Sequence, residues 1–75
     1  MTKQELLPVI AKGLLVDVSD ISIDTTSSDL TEWDSLGHLS LLLALQEAFG
    51  SANDDQRLAS ATSVREIAEI LGATD

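Results

Sequence analysis

The sequence predicts a small all-α domain, a four-helix bundle with a long first connection and a short third helix. Three observations carry that expectation. Apolar residues recur at three- and four-residue spacing in separate segments, which is the period of a helix buried on one face. Helix-start and helix-stop residues bracket those segments. The only strand-like alternation is too short to supply a third strand, and an isolated hairpin is marginal in water. The 75 residues allow a single domain, taken as 1–75. At 44% hydrophobic residues, disorder is disfavoured.

The first helix is expected over about 3–15. Thr2 with Glu5 three places on fits a capping box. Leu6, Ile10 and Leu14 recur at i, i+4, i+8, with Leu7 beside them, and form one apolar stripe. Pro8 conflicts with this start, because a proline beyond the first turn removes a hydrogen bond. Either the helix kinks there, or it begins later with Pro8 near its first position.

Residues 16–34 are rich in Asp, Ser and Thr. Only Val16, Val18, Ile21, Ile23, Leu30 and Trp33 are apolar. The alternation at 16/18 and 21/23 allows two short strands. An ordered loop whose apolar residues plug one end of the core is the preferred reading, with Trp33 as an anchor over the next helix. A loop this long in a small domain is usually functional or disordered.

The second helix is expected over 35–49, about 22 Å long. Asp34 is its N-cap and Gly50 the residue just past its end. A polar stretch over 51–56 follows, then a short third helix over 57–61. Ser63 with Glu66 suggests a second capping box, opening a fourth helix over 64–71. Val64, Ile67, Ala68 and Leu71 form its inner stripe, and Gly72 ends it.

The second helix is too apolar for so small a bundle. Leu41, Leu45 and Phe49, flanked by His38 and Leu42, can face a core. Leu36, Leu39 and Leu43 make a different stripe, well over 100° away. A chain of this size has too little interior to bury both. One stripe is therefore expected to lie exposed beside Ser35, as contact surfaces do; the alternative is that the long loop covers it.

Composition excludes several chemistries. There is no cysteine, so no disulfide, thiolate metal site or cysteine nucleophile. A single His cannot build a multi-histidine metal centre. The longest apolar run, 41–45, falls far short of the roughly 20 residues that span a bilayer. Residues 1–11 carry Lys3 and Glu5 and do not read as a signal peptide, which makes the cytoplasm the expected compartment. The net charge of −9 repels nucleic acid and anionic membranes. It suits partners with basic surfaces, or simply solubility. A monomer is expected.

Of the nine serines, Ser35 stands out. It should occupy the first or second position of the second helix, where unpaired N–H groups and the positive end of the helix dipole lie. A phosphoryl group esterified to that hydroxyl would be electrostatically favoured. An ordinary helix-start serine would occupy the same place.

The run Asp34-Ser35-Leu36, opening an apolar helix after a long polar loop, resembles the phosphopantetheine attachment motif of acyl carrier proteins. The resemblance extends over nearly the whole chain: helix order, long first connection, Leu-rich second helix ending in Phe49-Gly50, and short third helix. The wider run Glu32-Trp33-Asp34-Ser35-Leu36-Gly37-His38-Leu39 is most similar to free-standing, specialised carriers of small gene clusters. The resemblance implies that a phosphopantetheinyl transferase moves 4′-phosphopantetheine from coenzyme A to Ser35. It also implies that the arm's thiol carries acyl or related groups as thioesters, presented to acyl-loading and acyl-using enzymes. The protein itself would not be an enzyme. By the same analogy Asp34 contacts the transferase, and Leu36, Leu39, Leu43 and Glu47 face partners.

Two features depart from the family. Its second helix is often strongly acidic, whereas Glu47 is the only acid over 35–50 here. Gly37, Ser40, Gln46 and Ala48 stand where acids are common, and the charge sits instead at Asp17, Asp20, Asp24, Asp29, Glu32, Asp54 and Asp55. This favours a dedicated carrier with a small, more apolar interface. Secondly, Gly37-His38-Leu39-Ser40-Leu41 resembles the motif of peptidyl carriers, with one extra leucine, which would make Ser40 the modified residue. Ser40 lies more than a turn inside the helix, beyond the free N–H groups, and Ser35 is preferred.

Two other functions compete. His38 with Ser35 and Asp34 suggests a compressed triad, but neighbours on one helix cannot give the required geometry. An unmodified helical adaptor binding a partner through the exposed leucines would also fit. Fatty acyl, polyketide, aminoacyl or peptidyl, and sugar-pathway cargo are all open.

Overall fold

A computed structural model describes residues 2–50 and 55–74 of the chain. Among these residues four α-helices form: α1 (Lys3–Leu14), α2 (Ser35–Phe49), α3 (Asp55–Ala59) and α4 (Val64–Leu71). The all-α expectation holds, and the described residues contain no strand beyond isolated bridges. One bridge is antiparallel and joins Thr26 to Ser63.

The α1 start settles the proline conflict. Thr2 Oγ1 accepts from the Glu5 N–H, and Glu5 Oε1 accepts from the Thr2 N–H, so the capping box forms and the helix begins at Lys3. Pro8 lies inside it. A late start at Pro8 is therefore incorrect. Pro8 has no N–H to give the Gln4 carbonyl, and Gln4 is an exposed residue, where a lost backbone bond costs less than in the interior.

The far end of α1 turns on Leu15 in a left-handed conformation, φ +61°. Its N–H bonds Lys12 O at 3.3 Å, and the Val16 N–H bonds Ala11 O at 3.0 Å. That pairing is the glycine-type helix stop carried out by a leucine.

Leu6, Ile10, Leu41, Leu45, Leu58, Val64 and Ile67 are the largest fully buried side chains among the described residues. The inner stripes of α1, α2 and α4 thus meet as their spacing requires. Gly13 lets α1 and α2 approach closely: a Cβ there would lie 2.6 Å from Leu41 Cα. Phe49 and Leu71 are only partly buried at the margin.

The long connection is ordered. After a single 3₁₀ turn over Val18–Asp20, it is bonded to the start of α4. Ser27 N–H donates to Thr62 O at 2.7 Å, and Val64 N–H to Thr25 O at 3.0 Å. Ile21 and Trp33 join the core, with Val16, Ile23 and Leu30 packed against it. This is the plug expected of the loop, not a hairpin. Val18 stays exposed.

Two local expectations shift. The third helix was expected over 57–61 and lies at Asp55–Ala59; Ala61 is past its end, buried in the core. The polar connection over 51–54 lies outside the described residues. At α4 the Ser63 hydroxyl caps the Glu66 N–H at 3.1 Å. The Glu66 carboxylate reaches one residue further back than a capping box requires, accepting from the Thr62 hydroxyl at 2.9 Å.

Candidate functional site

The site is the first turn of α2. Asp34 is extended, and its Oδ1 accepts from the Gly37 N–H at 2.8 Å, while its carbonyl accepts from the His38 N–H at 2.8 Å. The cap makes Ser35 the first helical residue, as its sequence position suggested. Of the first-turn N–H groups, Gly37 is satisfied by Asp34. Those of Ser35 and Leu36 have no partner within the helix, because no carbonyl lies a turn before them. They surround an exposed serine.

Glycine is required two residues later. A Cβ on Gly37 would lie 2.0 Å from the Glu32 carbonyl oxygen. The loop therefore lies directly against the helix start, and this contact positions Trp33, Asp34 and Ser35. Sequence reading did not identify Gly37 in this role. Its signal was a glycine inside a helix, where the residue costs stability unless something approaches it closely.

Trp33 is the expected anchor, 5% exposed. Its indole Nε1–H donates to His38 Nδ1 at 2.9 Å, and the two ring planes are nearly parallel, 13° apart. The other nitrogen of the imidazole, Nε2, is 2.8 Å from the Leu58 carbonyl. A carbonyl only accepts, so Nε2 carries the proton and Nδ1 is the acceptor. His38 is thereby occupied at both nitrogens. It has no nitrogen left to act as base for Ser35, and the compressed triad is absent.

Two depressions lie at the start of α2, and Ser35 lines the first of them. One, about 560 Å³, is lined by Ser27, Trp33, Asp34, Ser35, His38 and the segment 59–62. The other, about 370 Å³, lies toward α1, with Leu15, Leu36, Gly37 and Ser40 among its lining. Ser40 is exposed within the helix body, where every N–H already has a carbonyl one turn back.

Leu36 (78% exposed), Leu39 and Leu43 lie open to solvent, and exposed Glu47 continues the same face one turn on. The loop does not cover this stripe. Asp34 is exposed but already engaged as the cap.

Long polar loop, capped helix start, open serine and exposed leucine face occur together in one fold, and a family model describing a phosphopantetheine attachment site matches residues 4–71. The chain belongs to that family. It is a carrier domain and not a catalyst. Such domains bear 4′-phosphopantetheine covalently, and they interact with transferases and with enzymes that use acyl groups. Neither a curated protein nor a solved structure gives a significant match.

The residues present fit that group. A phosphodiester needs a reachable hydroxyl and donors for its charged oxygens, and the first turn of α2 supplies both. Among the described residues, no cluster of His, Cys, Asp or Glu could hold a metal ion. No helix among the described residues is long and apolar enough to cross a membrane.

Proposed function

We propose that this carrier domain bears 4′-phosphopantetheine on the Ser35 hydroxyl and serves as a dedicated acyl carrier. When bound, the arm supplies a terminal thiol on which acyl or related intermediates are held as thioesters. The carrying observation is Ser35 itself: exposed, first in α2, next to two N–H groups without helical partners.

The chain's own residues have distinct tasks in this reading. Asp34 holds the helix start, so that the serine is presented on a rigid element. The α2 N–H groups stabilise the phosphodiester charge. Leu36, Leu39, Leu43 and Glu47 form the face that partner enzymes meet, and Asp34 adds negative charge for the basic site of the transferase. The scarcity of acids on α2 suits partners that bury apolar surface there, with long-range steering left to the net charge of −9. The expected compartment is the cytoplasm and the expected state a monomer.

Intact mass after co-expression with a broad-specificity phosphopantetheinyl transferase tests the assignment. One phosphopantetheinyl addition is expected, lost in Ser35→Ala and kept in Ser40→Ala. Loss in Ser40→Ala alone would move the site to the peptidyl-type register. No addition with any transferase would leave an unmodified adaptor. Repeating the measurement with candidate loading ligases and a panel of acids distinguishes acyl from aminoacyl cargo.

A further inference from the structure

We propose that Leu15, at the end of α1, and Leu36, next to Ser35, are the two walls of a notch that receives one apolar side chain of the phosphopantetheinyl transferase, flanked there by basic residues. This surface depends on the reading that Ser35 takes the arm. It adds a contact on a second element to the α2 face of Leu36, Leu39, Leu43 and Glu47.

The Leu15 side chain has no task within the fold. The Leu15 N–H helps to stop α1, but the side chain is 86% exposed, more than any other exposed large apolar residue among those described. Its backbone stands at φ +61°, ψ +41°, where a Cβ is crowded and glycine is at ease. The apolar contact that accompanies such a helix stop comes from Val16, which packs against the core. A leucine at this position therefore strains the backbone and exposes apolar surface at once. Strain held beneath an exposed apolar side chain points to a use outside the fold.

The notch supplies that use. It holds about 370 Å³ between the end of α1 and the start of α2, and Leu15 and Leu36 both line it. Each is more than three-quarters exposed. Two more of its lining residues, Gly13 and Gly37, have no side chain to fill it. Close approaches of Leu41 and of the Glu32 carbonyl keep both as glycine. Charge selects the occupant. Glu32 lines the notch, Asp17 follows Leu15 by two residues, Asp34 precedes Leu36 by two, and all three acids are exposed. Lys12, three residues before Leu15, is the nearest base along the chain. A second copy of a chain with net charge −9 is repelled. The transferase draws the arm from coenzyme A, whose phosphates require a basic site, and that site must reach Ser35, one residue from Leu36. Its rim meets the acids with opposite charge while an apolar side chain enters between the leucines.

The test measures transfer from coenzyme A to the whole chain by a broad-specificity phosphopantetheinyl transferase, with urea unfolding beside it. Leu15→Gly removes one wall and relieves the backbone. Its urea midpoint should rise, while its kcat/KM for transfer falls about tenfold through KM, near the lower end for burying one leucine side chain. Leu15→Asn, which tolerates the left-handed conformation, should lose transfer alike. Stability and transfer that move in opposite directions cannot come from misfolding. Val18→Ser removes another exposed apolar side chain, one that does not line the notch, and should keep wild-type kinetics. Sodium chloride at about 0.3 M should raise KM by the same factor in wild type and in Leu15→Gly, because the leucine contact is uncharged. Glu32→Gln should weaken that dependence.

Wild-type kcat/KM in Leu15→Gly, or an equal loss in Val18→Ser, would overturn the proposal. A lowered urea midpoint in Leu15→Gly would make the leucine structural and overturn it as well. Dimerisation in sedimentation that Leu15→Gly abolishes would give the notch to a second copy. Wild-type kinetics in Leu15→Gly, with amide signals of Leu15 and Gly37 moving once the arm is attached, would give it to the arm. Both results reject the transferase as occupant. If wild type takes up no phosphopantetheine from any transferase, the attachment reading fails and this surface falls with it. Uptake by wild type with unchanged kinetics in Leu15→Gly rejects the surface alone. Should Leu15→Gly not fold, Leu15→Asn carries the same kinetic comparison.

Discussion

At the scale of single residues, the start of α2 depends on one side chain, that of Asp34, and on one missing side chain, at Gly37. Asp34 has two separable properties, a cap and a charge. Asn caps a helix as well as Asp, whereas Ala does not. Asp34→Ala should therefore lose about 1 kcal/mol in urea unfolding, and Asp34→Asn almost none. Slower modification in Asp34→Asn at unchanged stability would isolate the charge as a transferase contact. Gly37 has no tolerance. A methyl group 2.0 Å from a backbone oxygen forces the loop off the helix, so Gly37→Ala should cost about 2 kcal/mol or more. It should also slow modification of Ser35, and equal rates would show that the loop contact does not present the serine. Leu15 is the opposite case. It is 86% exposed and holds a conformation natural to glycine, so Leu15→Gly should stabilise by about 0.5–1 kcal/mol.

At the scale of elements, α2 serves two surfaces at once. Its inner stripe packs on α1, and the fit leaves no spare volume at Gly13. Gly13→Ala should destabilise by about 2 kcal/mol, even though alanine is the better helix former by about 1 kcal/mol. The outer stripe behaves differently. Leu39 and Leu43 are more than half exposed, so replacing either with Gln should change stability by less than about 0.5 kcal/mol. The same variants should bind a partner enzyme more weakly if this face is the interface. Full binding by the double variant would remove the face from consideration. On α1, the capping box outweighs the cost of Pro8 because it satisfies two N–H groups at the start, and the lost bond is at an exposed residue.

At the scale of the whole molecule, a thin core carries a large excess of negative charge. Nine excess charges on 75 residues repel one another in the folded state more than in the expanded one. The exposed Asp24–Arg65 ion pair does little to offset this. Raising sodium chloride to about 0.5 M should screen the repulsion and lift the thermal midpoint by several degrees, since about 1 kcal/mol corresponds to about 4–8 °C in a domain this small. A midpoint that falls with salt would contradict it. Helix order, the inner stripes and the place of Ser35 at the head of α2 were determined by the sequence alone, because periodicity and caps are local in sequence. The start of α1 could not be read there, since Pro8 and the Thr2–Glu5 box gave opposed signals of similar size. Nor could the bounds of α3, which is too short to show a period and is held at Leu58 by the core and by His38. Only the tertiary structure decided that Gly37 admits the Glu32 carbonyl, that Trp33 and Leu58 share one imidazole, and that Leu36, Leu39 and Leu43 stay uncovered. Close approaches and side-chain bonds between elements depend on how those elements meet in space, and no local pattern along the chain records that.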